Sequence, residues 1–300
     1  MADKHLLASL GAGASLLLAA APADAAPPIA YTMANNTKSV DLYLVNPDGS
    51  GKIKLYTTAK GTNVRLLDMN PIANQLAITE SSSQHIVKII NYDSAGVVGS
   101  ITTLNDPCLI SGIDFHPTNG SLLVSHWCQA TDTLEVRQWS NGAFDSQPLA
   151  TFGTSSNAIG QVHWLGDGSG FLIFFAHPEG TTQQRQIDRY MIGTTSAPVT
   201  VVVLPRSAIG EFDTARCTAS STGSCWAMAY DDGAGHVHKV HFDAMSTTED
   251  SVQAGSSPHY SPDNSQLLYR LQTHLGYLLK VDNFALVSKG TVYAPIDWHL

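Results

Sequence analysis

The feature that most constrains the fold is a unit that recurs along the chain: a polar residue, a bulky anchor, a tight turn, then an apolar strand. It reads RLLDMNPIANQLAITE from Arg65, SGIDFHPTNGSLLVSHW from Ser111, GQVHWLGDGSGFLIFFAH from Gly160, TARCTASSTGSCWAMAY from Thr214 and SPHYSPDNSQLLY from Ser257. The chain ends in APIDWHL, the start of a sixth copy. The anchors are Met69, Phe115, Trp164, Cys217, Tyr260 and Trp298, spaced by 46, 49, 53, 43 and 38 residues. A period of about 45 residues suits one four-stranded propeller blade.

Two further strand-like segments follow each hairpin. DLYLVNPDGSGKIKLYT (41–57) shows the pair most clearly, with apolar alternation on both sides of a Pro-Asp-Gly turn. HIVKIINYDSAGVVGSITTL, HVHKVHFDAMSTTEDSVQA and LGYLLKVDNFALVSKGTVY are degenerate copies. No long amphipathic helix stands out. A β-sandwich explains the alternation but not the recurring unit. Trp298 lies two residues from the C-terminus with no strand after it, and three unassigned strands stand before Arg65. The expected fold is therefore all-β: a six-bladed β-propeller with four-stranded antiparallel blades. The Trp298 strand should pair with the Ile29–Ala34 segment, so that one C-terminal strand and three N-terminal strands make the sixth blade and leave no sheet edge open.

Composition agrees. The chain is 43% hydrophobic and 14% charged, as strands buried on both faces require. Its net charge of −9 argues against nucleic acid or an anionic membrane surface as partner. At the N-terminus, Lys4 and His5 precede an apolar run from Leu6 to Ala21 and a small-residue site at Ala23-Asp24-Ala25. This reads as a secretory signal peptide over 1–25, followed by one propeller domain over 26–300, with no membrane span. A periplasmic or secreted monomer is the expectation.

The stretches YSPDNSQLLY and LYLVNPDGSGKIKLYT resemble the repeats of the TolB-like propellers, which carry an aromatic-Ser-Pro-Asp-Gly turn. The resemblance covers the propeller alone, without the N-terminal domain of TolB. It implies the fold and a binding role.

A secreted chain is expected to use its cysteines as disulfides. Cys108 and Cys128 flank one inner hairpin symmetrically, and Cys217 and Cys225 flank another. Directly opposed residues on antiparallel strands lie within disulfide reach. The expected bridges are Cys108–Cys128 and Cys217–Cys225.

Motifs that carry a catalytic mechanism are absent. GDGSG (166–170) reads as a hairpin turn, and NPDGSGKI sits between strands and lacks the other marks of a phosphate loop. The residues just before the anchors are Asp68, Asp114, His163, Arg216, His259 and Asp297, all ionisable in otherwise apolar strands. Alternation places them opposite the anchors, at the central channel. They read first as a structural ring of ion pairs and hydrogen bonds, and second as a ligand or metal site. His236, His238 and His241 in HVHKVHF read as outer-blade surface residues, with no acidic partner near in sequence. One loop rim should carry Glu80, His126, Trp127, His177, Asp231 and His274 as candidate binding residues. Trp127 there suits a sugar or a peptide, or packs on the nearby bridge. The leading function is a non-enzymatic binding or scaffold propeller that recognises a protein or cell-envelope component, with no cofactor. The alternative is a metal-assisted lyase or hydrolase of carbohydrate at the channel.

Overall fold

The computed structural model describes residues 28–35, 38–153, 160–177, 184–194, 197–204, 211–216, 225–243, 246–263, 265–273, 276–281 and 292–298. The first three strands, β1 (Ile29–Ala34), β2 (Val40–Val45) and β3 (Ile53–Thr57), are the outer strands of one antiparallel sheet. Blade one follows as β4 (Val64–Met69), β5 (Gln75–Glu80), β6 (Ser83–Tyr92) and β7 (Val98–Asn105). Blade two is β8 (Leu109–Phe115), β9 (Leu122–Cys128), β10 (Thr133–Ser140), β11 (Ala143–Phe144) and β12 (Ala150–Gly153). Blade three is β13 (Gln161–Trp164), β14 (Gly170–His177), β15 (Gln184–Met191) and β16 (Val199–Leu204). Blade four is β17 (Phe212–Arg216), β18 (Trp226–Asp231), β19 (His236–Phe242) and β20 (Thr247–Ala254). Blade five shows β21 (Ser256–Tyr260), β22 (Leu267–Thr273) and β23 (Gly276–Val281), and 282–291 lie outside the described residues. The last strand, β24 (Val292–Trp298), completes blade six on β1.

The expected closure is present: β24 pairs antiparallel with β1, Ile29 opposite Trp298 and Ala30 opposite Asp297. Blade two departs from four simple strands. Its outer edge is split, with β11 pairing the far half of β10 and β12 the near half. Asn141 and Gly142 both take positive φ, 51° and 88°, the two-residue turn that folds β11 straight back onto β10. The GDGSG turn is also as expected: Gly168 has φ 71°, and Asp167 accepts the Ser169 N–H at 3.0 Å.

Alternation in these strands serves two faces at once, because both faces of each blade meet another blade. Six apolar clusters result, one at each junction. Leu42 and Leu44 of blade six pack with Met69 and Leu76 of blade one. Phe115 of blade two packs on Ile89, and Trp164 of blade three on Leu134. Leu172 and Phe174 meet Phe212 and Trp226 between blades three and four. Ala229 and Val237 meet Leu267 and Tyr269 between four and five. Leu268 and Val281 meet Ile296 and Trp298 at the closing junction. Each fully buried side chain of this size contributes roughly 1.5–3 kcal/mol. The aromatic and aliphatic anchors are thus inter-blade wedges.

Among the described residues, no helix is long and apolar enough to cross a membrane.

Candidate functional site

The channel ring is real in position, with one correction. In blades one, two and three, Asp68 stands opposite Ala77, Asp114 opposite Leu123 and His163 opposite Leu172. In blade four that place belongs to Asp213, opposite Ala229, and Arg216 lies three residues further along β17 opposite Trp226. The expected unit, anchored on Cys217, stands three residues out of frame in this blade. The bulky side chain on the anchor face is Phe212, and Thr214 occupies the anchor position. Spacing was the available signal: Asp213 lies 50 residues from His163 and 46 from His259, closer to the period than Arg216.

The aspartates of the ring face their neighbours, blade to blade. Asp297 Oδ2 accepts the Met69 N–H and Asp68 Oδ2 the Phe115 N–H, both at 2.5 Å. Asp114 Oδ2 accepts the Trp164 N–H at 2.5 Å, and Asp213 Oδ2 the Tyr260 N–H at 2.7 Å. Each carboxylate so satisfies the first-strand backbone of the next blade. The two junctions that follow a histidine differ. There the N–H of Thr214 and of Trp298 turns to the aspartate beside it in its own chain, Asp213 and Asp297, both at 2.7 Å. The hydroxyl of Thr214 donates back across the junction to the Trp164 carbonyl.

The imidazoles lie between these carboxylates. His163 Nδ1 is 3.1 Å from Asp114 and 3.7 Å from Asp213. Burial works against its charged form, but Asp114 first, then Asp213 and Asp297, outweigh it and raise the His163 pKa above its ordinary value. His259 Nδ1 comes within 3.2 Å of Asp297 but is not aligned for a hydrogen bond. Of the ring, His163 and His259 line the channel cavity, together with Leu66, Gln161, Glu211 and Ser257. That cavity is about 60 Å³, room for a few waters. Gly112 helps make it narrow: a Cβ there would come within 2.8 Å of the Gly160 carbonyl and the Val162 nitrogen.

Sequence reading missed a second polar tier at the channel mouth. Ser257, at φ 50° in a bulge of β21, donates its hydroxyl to Glu211 and accepts from Arg270 Nε at 2.8 Å. Arg270 also approaches Glu211 at 3.5 Å. Nothing in a Ser-Ser-Pro loop announces this; the bulge creates it.

Among the described residues, the rim candidates do not form one patch. Glu80 is buried, accepting from Tyr56 at 2.7 Å and pairing with Lys88 at 2.9 Å. Asp231 is buried, and burial above all raises its pKa although Gly233 N–H bonds it at 2.6 Å. His274 lies outside the described residues, as does the side chain of His177. The outer-blade histidines do have acidic partners, contrary to the sequence expectation. Asp232 lies 3.1 Å from His236 and 3.4 Å from His238, Glu249 is 2.9 Å from His238, and Asp250 is 2.6 Å from His241. The hairpin and the neighbouring strand β20 bring them together.

His126 and Trp127 part company. Strand alternation sends Trp127 toward blade three, where it packs on the Leu134 cluster and its indole N–H reaches Asp132 at 3.2 Å. His126 faces blade one, in a groove of about 780 Å³ at the rim between blades one and two. Its Nδ1 lies 2.6 Å from Asp106 and its Nε2 3.4 Å from Glu135, and its ring meets Phe144 edge-on. Asp106 also accepts the Cys108 N–H at 2.8 Å. Burial works against the Glu135 carboxylate, but hydrogen bonds from Arg137, at 2.8 Å, and from His126 hold its pKa below the ordinary value. The Cys108–Cys128 bridge forms the far wall, with Cα atoms 4.6 Å apart, as the hairpin symmetry required. Cys225 is disulfide-bonded too, and Cys217 lies outside the described residues.

No protein-family model matches the sequence, and no curated protein does. Solved structures match along most of the chain. TolB from Acinetobacter baumannii is 18% identical, with a TM-score of 0.62 over 92% of this chain and 67% of that one. This is the TolB-type propeller fold. A structure described as putative TolB from Agrobacterium tumefaciens is 12% identical, with a TM-score of 0.58 over 86% of this chain and 88% of that one. The SapL1 lectin in complex with alpha methyl fucoside is 14% identical, with a TM-score of 0.55 over 90% of this chain and 97% of that one. One of these propellers is a lectin complexed with a fucoside, so the TolB-type fold places the blades and leaves the ligand to the site.

Proposed function

We propose that the chain is a binding propeller of the periplasm or extracellular space, released from a leader cleaved after Ala25. Its ligand is a short peptide segment of a partner protein, held in the groove between blades one and two. The observation that carries this reading is the groove itself: about 780 Å³ of mixed apolar and charged surface at the rim, against about 60 Å³ in the channel. Phe144, Leu109 and the disulfide offer an apolar seat. Beside it Glu135 is paired with Arg137 at 2.8 Å and Asp106 is buried against His126, within a protein of net charge −9. That charge disfavours phosphate-rich envelope polymers and favours an apolar anchor flanked by a basic residue.

The test is fluorescence-anisotropy binding to a panel of labelled peptides that carry an aromatic anchor beside Lys or Arg. Phe144→Ala and Glu135→Lys should each weaken the best binder by about tenfold or more, the usual size of an interface hot spot. A substitution at the channel mouth, Gln161→Ala, should leave that affinity unchanged. Affinity indifferent to both groove variants, or lost with Gln161→Ala, overturns the reading.

A further inference from the structure

The wall of the groove brings three metal-binding side chains to one point. The Sγ atoms of Cys108 and Cys128 and a ring nitrogen of His126 lie within 4.8 Å of one another. The cause is register. Cys128 and His126 are two apart on β9 and share a face, and Cys108, the residue just before β8, is bridged to Cys128. Two zinc-bound sulfurs sit about 3.7 Å apart at ordinary Zn–S lengths, so the three donors need only small side-chain shifts to close on an ion.

Two carboxylates flank His126. Asp106 holds His126 Nδ1 at 2.6 Å, which fixes the ring and directs Nε2 outward, the arrangement that commonly supports a metal-ligating histidine. Glu135 Oε2 lies 3.4 Å from that Nε2. Nitrogen and oxygen ligands on one tetrahedral zinc are about 3.3 Å apart, so Glu135 is spaced from His126 as a further ligand would be, although it stands outside the three-donor group.

We propose that reduction of the Cys108–Cys128 bridge converts this wall into a zinc site of Cys108, Cys128 and His126, oriented by Asp106, with Glu135 the nearest further donor. The balance is simple. A dithiol reductant gives two electrons to the bridge and becomes a disulfide, the Cys108–Cys128 S–S bond breaks, and two thiols form. Zinc then displaces both thiol protons and binds two thiolates. One cross-link between the entry to β8 and the end of β9 replaces another, so the groove wall persists in both redox states. The proposal stands apart from the peptide reading and does not require it.

The experiment uses the mature chain with Cys217→Ser and Cys225→Ser, so that one cysteine pair remains. Cobalt(II) is titrated into oxidised protein and into protein reduced with a water-soluble phosphine under nitrogen. Thiolate-to-cobalt bands should grow to one equivalent in the reduced form, vanish on zinc addition, and be absent from the oxidised form. His126→Ala and Asp106→Asn should each weaken cobalt binding by about tenfold or more. Should the reduced apo-protein melt early, zinc must restore its cooperative unfolding. Missing bands in the reduced protein, bands indifferent to His126→Ala, or no zinc effect on a destabilised reduced chain would each overturn the assignment.

Discussion

Two Asp–His pairs, one in the channel and one at the rim, show what position does to identical chemistry. At the channel, His163 meets Asp114 at 3.1 Å, and the other oxygen of Asp114 holds the Trp164 N–H of the next blade. At the rim, His126 meets Asp106 at 2.6 Å, and Asp106 bonds the Cys108 N–H of its own loop. The first pair is part of the closure between blades, beside a cavity of about 60 Å³. The second lines a groove of about 780 Å³, and its side-chain bonds stay within blade two and the loop that leads into it. The channel carboxylate satisfies a neighbouring blade's backbone, whereas the rim carboxylate satisfies its own loop. Stability is therefore concentrated at the channel, and freedom to bind is left at the groove.

The largest expected effect breaks the closure. Deleting 292–300 removes β24, with buried Ile296 and Trp298 and the Asp297 bond to Met69. The loss should exceed about 5 kcal/mol, since truncating one buried aromatic alone costs 3–5. Denaturant unfolding of the truncated chain checks it, and an unchanged midpoint would refute closure by this strand.

Asp114→Ala comes next. It leaves the buried Trp164 N–H without its acceptor and His163 without its nearest counter-charge. The expected cost is about 3 kcal/mol, read by the same unfolding curves. A shift no larger than that of an exposed substitution would remove the contrast between channel and rim.

A smaller effect is set by pH. The His163 pKa is raised above its ordinary 6.5. A group with a raised folded value stabilises fully below its unfolded value, and that contribution is lost as pH rises through the folded value. Stability measured upward from pH 6 should therefore decline, and His163→Gln should flatten that decline. An equal slope in both proteins would show that His163 does not couple to folding.

The smallest effect on stability sharpens the other side of the comparison. Glu135→Gln, at a largely buried rim position where the amide oxygen can still accept from Arg137, should move stability by no more than about 1 kcal/mol. It should nonetheless weaken peptide binding measurably. A stability loss rivalling that of Asp114→Ala would make the groove a structural element like the ring.

What the sequence determined by itself is whatever repeats. A recurring anchor, turn and strand dictates blades, and a lone terminal strand at Trp298 with three spare strands at the N-terminus dictates closure. The symmetric cysteines dictate a bridge across one hairpin, because opposed strand positions are adjacent in any antiparallel register. In blade four the pattern misled: the choice of Cys217 as anchor put Arg216 where Asp213 stands. Only the tertiary structure decided which residues meet across elements. The Glu211–Ser257–Arg270 tier depends on a bulge, and the partners of His236, His238 and His241 come from the hairpin and from β20. Trp127 and His126 are adjacent in sequence, yet the pleat sends them into different junctions. The groove exists because Asp106, His126 and Glu135, from a loop and two strands, converge where blade two leans on blade one. Period and parity are local properties that a sequence carries openly. Convergence is a property of packing, and it is where the candidate chemistry of this protein lies.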